Sequence, residues 1–331
     1  MADGAGKTAL VTGSRGFAGS WLCARLLDDG YRVVGFDRGE GPVSGLTLLG
    51  IDQEVEQRRG ELVDAEAVGE AVSDGPADRV FHLAAQTIVG KAAASPLETF
   101  ETNVRGTWTL LEAARDAGPE AVVVASSDKA YGSHETLPYA EAAPLTPTFP
   151  YDTSKAAADL IARSYWHSYG LPVSVTRFAN LYGGGDLNPS RLVPETVAAL
   201  LEGRPPLLRS DGSPRRDFLY VEDAARAYTA IADTLAAGRE GGEAFNAGSG
   251  RAWSVLEVVD MLCEISGKAI EPEVRGSGSP PGEIDSQYLD SSKIGERCDW
   301  QAEVPLKEGL ERTYGWYSEH PEAVVAAAAN A

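Results

Sequence analysis

Thr8-Ala-Leu-Val-Thr-Gly13-Ser-Arg-Gly16-Phe-Ala-Gly19 is the stretch whose reading decides the fold. Thr8 to Thr12 is a short apolar and β-branched run of the kind that forms a buried strand. Three glycines at three-residue intervals follow with no spacer, and Ser20 to Asp29 then takes up a helical pattern. Glycines placed this way permit a tight turn, close approach of backbone to a pyrophosphate, and close packing of helix on strand. The helix N-terminus adds N–H groups and the positive end of its dipole. The expectation is a dinucleotide-binding turn with Gly13, Gly16 and Gly19 as contacts.

Working outward, Arg32-Val-Val-Gly-Phe36 reads as a second strand ending at Asp37, about 20 residues past the glycine turn. A carboxylate there accepts hydrogen bonds from a ribose diol and repels a 2′-phosphate, which favours NAD over NADP. Arg15 and Arg38 lie close by in sequence and are the residues able to offset that preference. Residues 39–54 read as an irregular surface connection. Gln57 to Asp64 reads as a strand end passing the adenine, with Glu61 and Leu62 as contacts. Arg79 to Leu83 is a fourth buried strand, and the small Ala84 and Ala85 after it let a cofactor lie against the backbone. His82, inside that strand, reads as a packed core residue. A long amphipathic helical pattern runs from Pro96 to Ala117 around Asn103 and closes at Gly118-Pro119.

Ala121-Val-Val-Val-Ala125 is the next buried strand, and it turns abruptly polar through Ser126-Ser-Asp128-Lys129. Ligands of open α/β sheets bind at that carboxyl edge. Tyr151 and Lys155 follow at the head of a helical pattern, on one face by their four-residue spacing. A nearby ammonium lowers a phenol's pKa, so Tyr151 is read as a base activated by Lys155. Ser126 or Ser127 would bond the same substrate oxygen, and Asp128 and Lys129 offer a further acid and base. Strand and helix continue to alternate through Val173 to Phe178, the signature of a doubly wound parallel sheet.

Bulk properties narrow the partners. A formal charge of −20 and an isoelectric point near 4.6 argue against nucleic acid and anionic membranes. Only seven of the 29 basic residues are Lys, and two of them fall in the Ser126–Lys155 stretch; the remainder are Arg, suited to phosphate. Cys23, Cys263 and Cys298 show neither metal nor disulfide spacing, so no metal is expected. No stretch approaches a membrane span or a signal peptide, and the expected compartment is the cytoplasm.

Taken together, Thr12-Gly13-x-x-Gly16-x-x-Gly19, His82-Leu-Ala-Ala85, Asn103, Ser126-Ser-Asp-Lys129, Tyr131-Gly132, Tyr151-x-x-x-Lys155, Arg177-Phe-Ala-Asn180 and Arg216-Asp-Phe-Leu-Tyr-Val-Glu-Asp223 resemble the extended short-chain dehydrogenase/reductase family of nucleotide-sugar epimerases and dehydratases. The resemblance implies a Rossmann domain over residues 1–180 that binds NAD and a smaller mixed α/β nucleotide-sugar domain over 181–322, with strands partly interleaved. Residues 323–331 are left as a frayed tail. It further implies cofactor contacts from Phe17, Arg38, Asn103, Tyr151 and Lys155, sugar-nucleotide contacts from Ser126, Gln86, Asn180, Arg191 and Arg216, and a homodimer through the helices near 98–117 and 152–169.

The residues after the fifth strand bear on the reaction. Asp128-Lys129 is similar to the CDP-glucose 4,6-dehydratases, as are Gly16-Phe-Ala-Gly-Ser-Trp-Leu22 and Tyr288-Leu-Asp-Ser-Ser-Lys293 with Trp300. That resemblance implies an NDP-glucose 4,6-dehydratase with Tyr151, Lys155, Ser127, Asp128 and Lys129 as catalytic residues, Lys129 being either the C5 base or a substrate-orienting cation. A sugar 4-epimerase using the same Tyr151 is the alternative.

Overall fold

Seven strands form one all-parallel sheet, in the order Ala244–Ala247, Val173–Phe178, Ala121–Ala125, Arg79–His82, Thr8–Thr12, Arg32–Asp37, Glu56–Arg59. The computed structural model describes residues 4–39, 41, 43–74, 77–278 and 284–329. The chain starts in the middle, winds outward through the second and third strands, and crosses back to build the other half. The order therefore reverses between Thr8–Thr12 and Arg79–His82, and the crevice at their carboxyl ends is where such sheets bind ligands.

Burial explains why these strands were readable. Val122, Val123, Val124, Val173 and Val175 are all fully buried, because helices cover both faces of the sheet. Helix Phe17–Asp28 lies on one face with Val221–Ala236, and Ala65–Ser73 and Gly106–Ala117 lie on the other. Gly118 and Gly170 end their helices in the left-handed conformation, both at φ +70°. A fully buried bidentate pair, Arg177 to Asp159 at 2.7 and 3.0 Å, ties helix Pro150–Tyr169 to strand Val173–Phe178.

Several expectations are corrected. Residues 39–54 contain a helical turn, Gly45–Leu48, closed by a capping box from Ser44. The helix expected over Pro96–Ala117 is α from Pro96 to Phe100, π from Glu101 to Arg105, and α again from Gly106. As the expected interleaving allows, Val221–Ala236 and Ala244–Ala247 return to the large sheet from beyond residue 180. The expected tail is a helix, Pro321–Ala329, with Ala323 buried in the second core; residues 330 and 331 lie outside the described residues.

That second core gathers helices Leu192–Leu201, Val255–Ser266 and Leu306–Glu319 beside the sheet's carboxyl edge. A small sheet places Arg215–Arg216 between Trp253–Ser254 and Ser286–Gln287. No helix among the described residues is long and apolar enough to cross a membrane.

Candidate active site

The glycine turn is built as its spacing requires. Gly13 sits at φ +73°, and a Cβ there would come within 2.8 Å of the Ala84 backbone. No side chain caps the N-terminus of helix Phe17–Asp28, so its first N–H groups remain available for a phosphate. This turn opens on a cavity of about 650 Å³. Its lining includes Gly13, Gly16, Phe17, Gly19, Asp37, Arg38, Glu61, Leu62, Ala84, Ala85 and Gln86 from the large-sheet side of the sequence, and Asp186, Asn188 and Arg191 from beyond residue 180. A glycine cradle, an uncapped helix N-terminus and a carboxylate one strand away are the donor set that a dinucleotide fits. Among the described residues no cluster of His, Cys, Asp or Glu is arranged to hold a metal ion.

Asn103 does not line this cavity. Its amide is spent on bridging: Oδ1 accepts from the Gln86 N–H at 2.7 Å, while Nδ2 donates to the Gln86 carbonyl at 3.0 Å and to Ser154 Oγ at 2.9 Å. The expected cofactor contact is thus a clamp between the loop after Arg79–His82 and the helix that carries Tyr151. The π turn aims Asn103 at both, a use to which such turns are often put.

His82 anchors the clamp from behind. The Thr107 hydroxyl donates to the Asn103 carbonyl at 2.6 Å, so it must accept from His82 Nε2–H at 3.1 Å. His82 Nδ1 then accepts from Thr12 Oγ1 at 2.8 Å, and Thr12 in turn accepts from the Ala84 N–H at 3.2 Å. Burial, aided by the Lys155 charge, pushes the imidazole down to about 3 and keeps it neutral. The reading of His82 as a packed residue fits this network.

Around Tyr151 the geometry departs from the simple Tyr/Lys scheme. Lys155 Nζ donates to the Ala125 carbonyl at 2.8 Å, and burial pushes the ammonium down to about 8. Burial likewise pushes Tyr151 up to about 12; the charge that opposes it most is Arg191, followed among the lowering groups by its hydrogen bond with Ser127. In the free protein burial outweighs the lowering influences on Tyr151, and the Lys155 ammonium is engaged by the strand end. Arg191, which opens helix Leu192–Leu201, is held at 3.1 Å by the buried Asp186 carboxylate. This cross-domain approach to Tyr151 has no sequence signal beyond the glycines at 183–185.

Ser126 and Ser127 divide their work. Ser126 Oγ donates to the Lys155 carbonyl at 3.0 Å, so it secures the helix where a substrate contact was expected. Ser127 accepts from the Lys129 N–H at 3.2 Å and donates to Asp128 Oδ1 at 3.1 Å. Asp128 is 2 % exposed, its Oδ2 is buried without a hydrogen-bond partner, and desolvation raises its pKa against the opposing pull of Lys129. Asp152 was missed: burial pushes it up to about 6, with Lys129 opposing and Asp128 reinforcing the shift. Its one available signal was its place directly after Tyr151 in the first helical turn.

The remaining expected contacts are tied to protein groups. Gln86 Nε2 donates to the Ile88 carbonyl and Thr99 Oγ1 at 3.1 and 3.2 Å, and its Oε1 accepts from the Ile88 N–H, so its side chain shapes the loop. Asn180 Nδ2 donates to the Asp217 carbonyl at 3.1 Å. Arg216 reaches the carbonyls of Arg215 and Asp285 and acts electrostatically on Asp128.

The buried ammonium gives a prediction about stability. Lys155 is depressed in the folded state from 10.5 to about 8, so between those values the unfolded chain binds the extra proton and stability rises with pH. Below pH 8 the penalty is fully present, and a shift of this size corresponds to about 3 kcal/mol. Lys155→Met is expected to melt at a higher temperature than the parent at pH 7, and the difference should shrink towards pH 10. Equal melting curves at both pH values would rule out a strained ammonium.

Comparison with known proteins agrees with this architecture. Residues 9–248 match the model of the "NAD dependent epimerase/dehydratase family". The chain is 32% identical over 330 residues to a dTDP-glucose 4,6-dehydratase of Xanthomonas campestris pv. campestris, covering 94% of this chain and 93% of the relative. It is 30% identical over 324 residues to a trifunctional UDP-glucose 4,6-dehydratase, epimerase and reductase of Arabidopsis thaliana; there 96% of this chain spans 48%, about half, of the longer protein. Among solved structures, the UDP-glucose 4-epimerase of Thermotoga maritima with UDP-glucose superposes with a TM-score of 0.87 at 29% identity, over 95% of this chain and 99% of that one. With the glycine cradle, the clamped Tyr151 helix and these matches in agreement, the chain belongs to the NAD-dependent epimerase/dehydratase family, the extended short-chain dehydrogenases/reductases.

Proposed function

We propose that this enzyme is an NDP-hexose 4,6-dehydratase, with CDP-glucose the favoured substrate and an NDP-4-keto-6-deoxyhexose the product. The observation that carries the reading is Asp128, a buried carboxyl with an unpartnered oxygen and a raised pKa beside Ser127 and Tyr151. Burial of this kind favours the protonated carboxyl, and a dehydratase needs a proton for the departing hydroxyl where an epimerase needs none.

NAD, when bound, supplies a hydride acceptor at C4 of the sugar and returns that hydride at C6. Tyr151, steadied by Ser127, takes the proton of the 4-hydroxyl as C4 becomes a ketone. The ketone acidifies C5–H, which Lys129 removes in its neutral amine form. The C6–O bond then breaks, the Asp128 proton leaves with that oxygen as water, Asp128 remains as carboxylate, and the proton held by Lys129 returns to C5 as C6 is reduced. The carboxyl of Asp152 faces Lys129 and is placed to take up its positive charge. Arg191 and Arg216 balance the pyrophosphate, and Asp37 favours NAD over its 2′-phosphate. The preference for CDP rests on Asp128-Lys129.

The chain is further proposed to work in the cytoplasm as a homodimer. Leu97, Trp108 and Leu160 stand 74%, 43% and 57% exposed on helices Pro96–Phe100, Gly106–Ala117 and Pro150–Tyr169, and a second copy would cover them as a four-helix bundle. Sedimentation at twice the 35.0 kDa chain mass would support this.

Mass spectrometry with NAD and, separately, CDP-, dTDP-, UDP- and GDP-hexoses tests the reaction. Loss of one water from one nucleotide sugar supports dehydration and identifies the base. An isomer of unchanged mass supports the second reading, a 4-epimerase, which is favoured by the close superposition on the Thermotoga enzyme.

A further inference from the structure

We propose that Gln287, carried on the small sheet of the second domain, is a positioning residue that holds the Asp128 acid in place. Gln287 is fully buried, and its Nε2 donates to the main-chain carbonyl of Asp128 at 2.7 Å across 159 residues of sequence. The amide orientation is fixed by chemistry, because a flipped carboxamide would set one carbonyl oxygen against another. Its own Oε1 is buried without a partner, as is Asp128 Oδ2.

The backbone around Gln287 leaves it little room to adjust. Its carbonyl accepts from the Asp217 N–H at 3.0 Å, the neighbouring Tyr288 carbonyl accepts from the Tyr139 N–H at 2.9 Å, and Leu289 N–H donates to Asp217 Oδ2 at 3.3 Å. Gln287 pairs in register with Arg216, so one strand pair brings both an amide and a guanidinium to the Asp128 turn. The groups facing Asp128 are then Ser127 and Lys129 on its own turn, Tyr151 and Asp152 on the helix, Tyr139 from the following loop, and Arg216 and Gln287 from the second domain. Asp128 Oδ1 is fixed by Ser127, while the turn itself is fixed by Gln287. This gives the second domain a hold on the acid in addition to any contact with the nucleotide.

The inference rests on the dehydratase reading, and its test separates the two. Gln287→Met removes the donor at similar volume; Gln287→Glu donates in its place only while its carboxyl is protonated. For Gln287→Met we expect kcat for water loss to fall about 10²-fold, the penalty of a misplaced catalytic group, with KM unchanged and the alkaline limb of the pH profile displaced. Gln287→Glu should recover activity as pH falls. A second readout needs no substrate: the infrared carboxylic-acid band identified by its loss in Asp128→Asn should titrate at a different pH in Gln287→Met. If Gln287→Met merely lowers the melting temperature, with profile and band unmoved, the amide is structural and the proposal fails. If the parent protein eliminates no water from any nucleotide sugar, the dehydratase reading fails while the infrared titration still decides the role of Gln287.

Discussion

Tyr151→Phe is expected to reduce turnover of the nucleotide sugar by about 10²–10⁴-fold, the range for loss of a general base, while calorimetry still detects NAD binding. The phenol is 8 % exposed and pushed up to about 12, so its hydroxyl cannot be a solvent-mobile base in the free protein. Its competence depends on positive charge brought close, and Arg191 is the strongest such charge on the protein. That charge is held by Asp186, so Arg191→Met should lower activity through both substrate affinity and the protonation of Tyr151. The diagnostic sign is direction: without Arg191 the phenol titrates higher, and the rising limb of the kcat profile moves to higher pH. A profile unchanged by Arg191→Met would leave the guanidinium with a binding role alone.

The second large effect is at Asp128. Asp128→Asn keeps shape and hydrogen-bonding capacity but cannot donate an acidic proton, so water loss should fall by about 10²–10⁴-fold. Oxidation at C4 and proton removal at C5 do not require this group. In D₂O the variant should therefore still exchange C5–H of the recovered substrate for deuterium, detected by mass spectrometry as a gain of one mass unit without loss of water. Lys129→Ala should abolish that exchange if Lys129 is the C5 base, and leave it intact if Lys129 only orients substrate. Loss of both exchange and elimination in Asp128→Asn would place Asp128 earlier in the sequence of steps than the proposed mechanism has it.

The large sheet was legible because its strands are buried on both faces, so Ala121–Ala125 and Thr8–Thr12 appear as unbroken apolar runs. The glycine turn was legible because it needs conformations that Gly adopts at least cost. The proposed catalytic segment was legible as a set of residue types, since Ser127, Asp128, Tyr151 and Lys155 lie together at the strand edge. Partnerships were not legible. That Lys155 bonds the Ala125 carbonyl, that Asn103 holds Gln86 and Ser154, and that Gln287 reaches Asp128 depend on distances across the fold. Neither was the π turn, because Glu101 to Arg105 carry no Gly or Pro to mark a break.

That turn has a consequence for how the molecule tolerates change in length. A π turn amounts to one residue inserted into an α-helix, so the rod from Pro96 to Ala117 carries one more residue than an unbroken ladder would use. Deleting one residue between Glu101 and Arg105 lets the ladder close as plain α-helix with its two halves still in register, but it removes the widened turn that aims Asn103. Asn103 would then swing away from Ser154 and Gln86 while the remainder of the helix stayed formed. The shortened protein is expected to retain its helical circular dichroism and lose its turnover. Activity here would hinge on a residue count as much as on residue identity, and a variant with every catalytic side chain intact could still be idle.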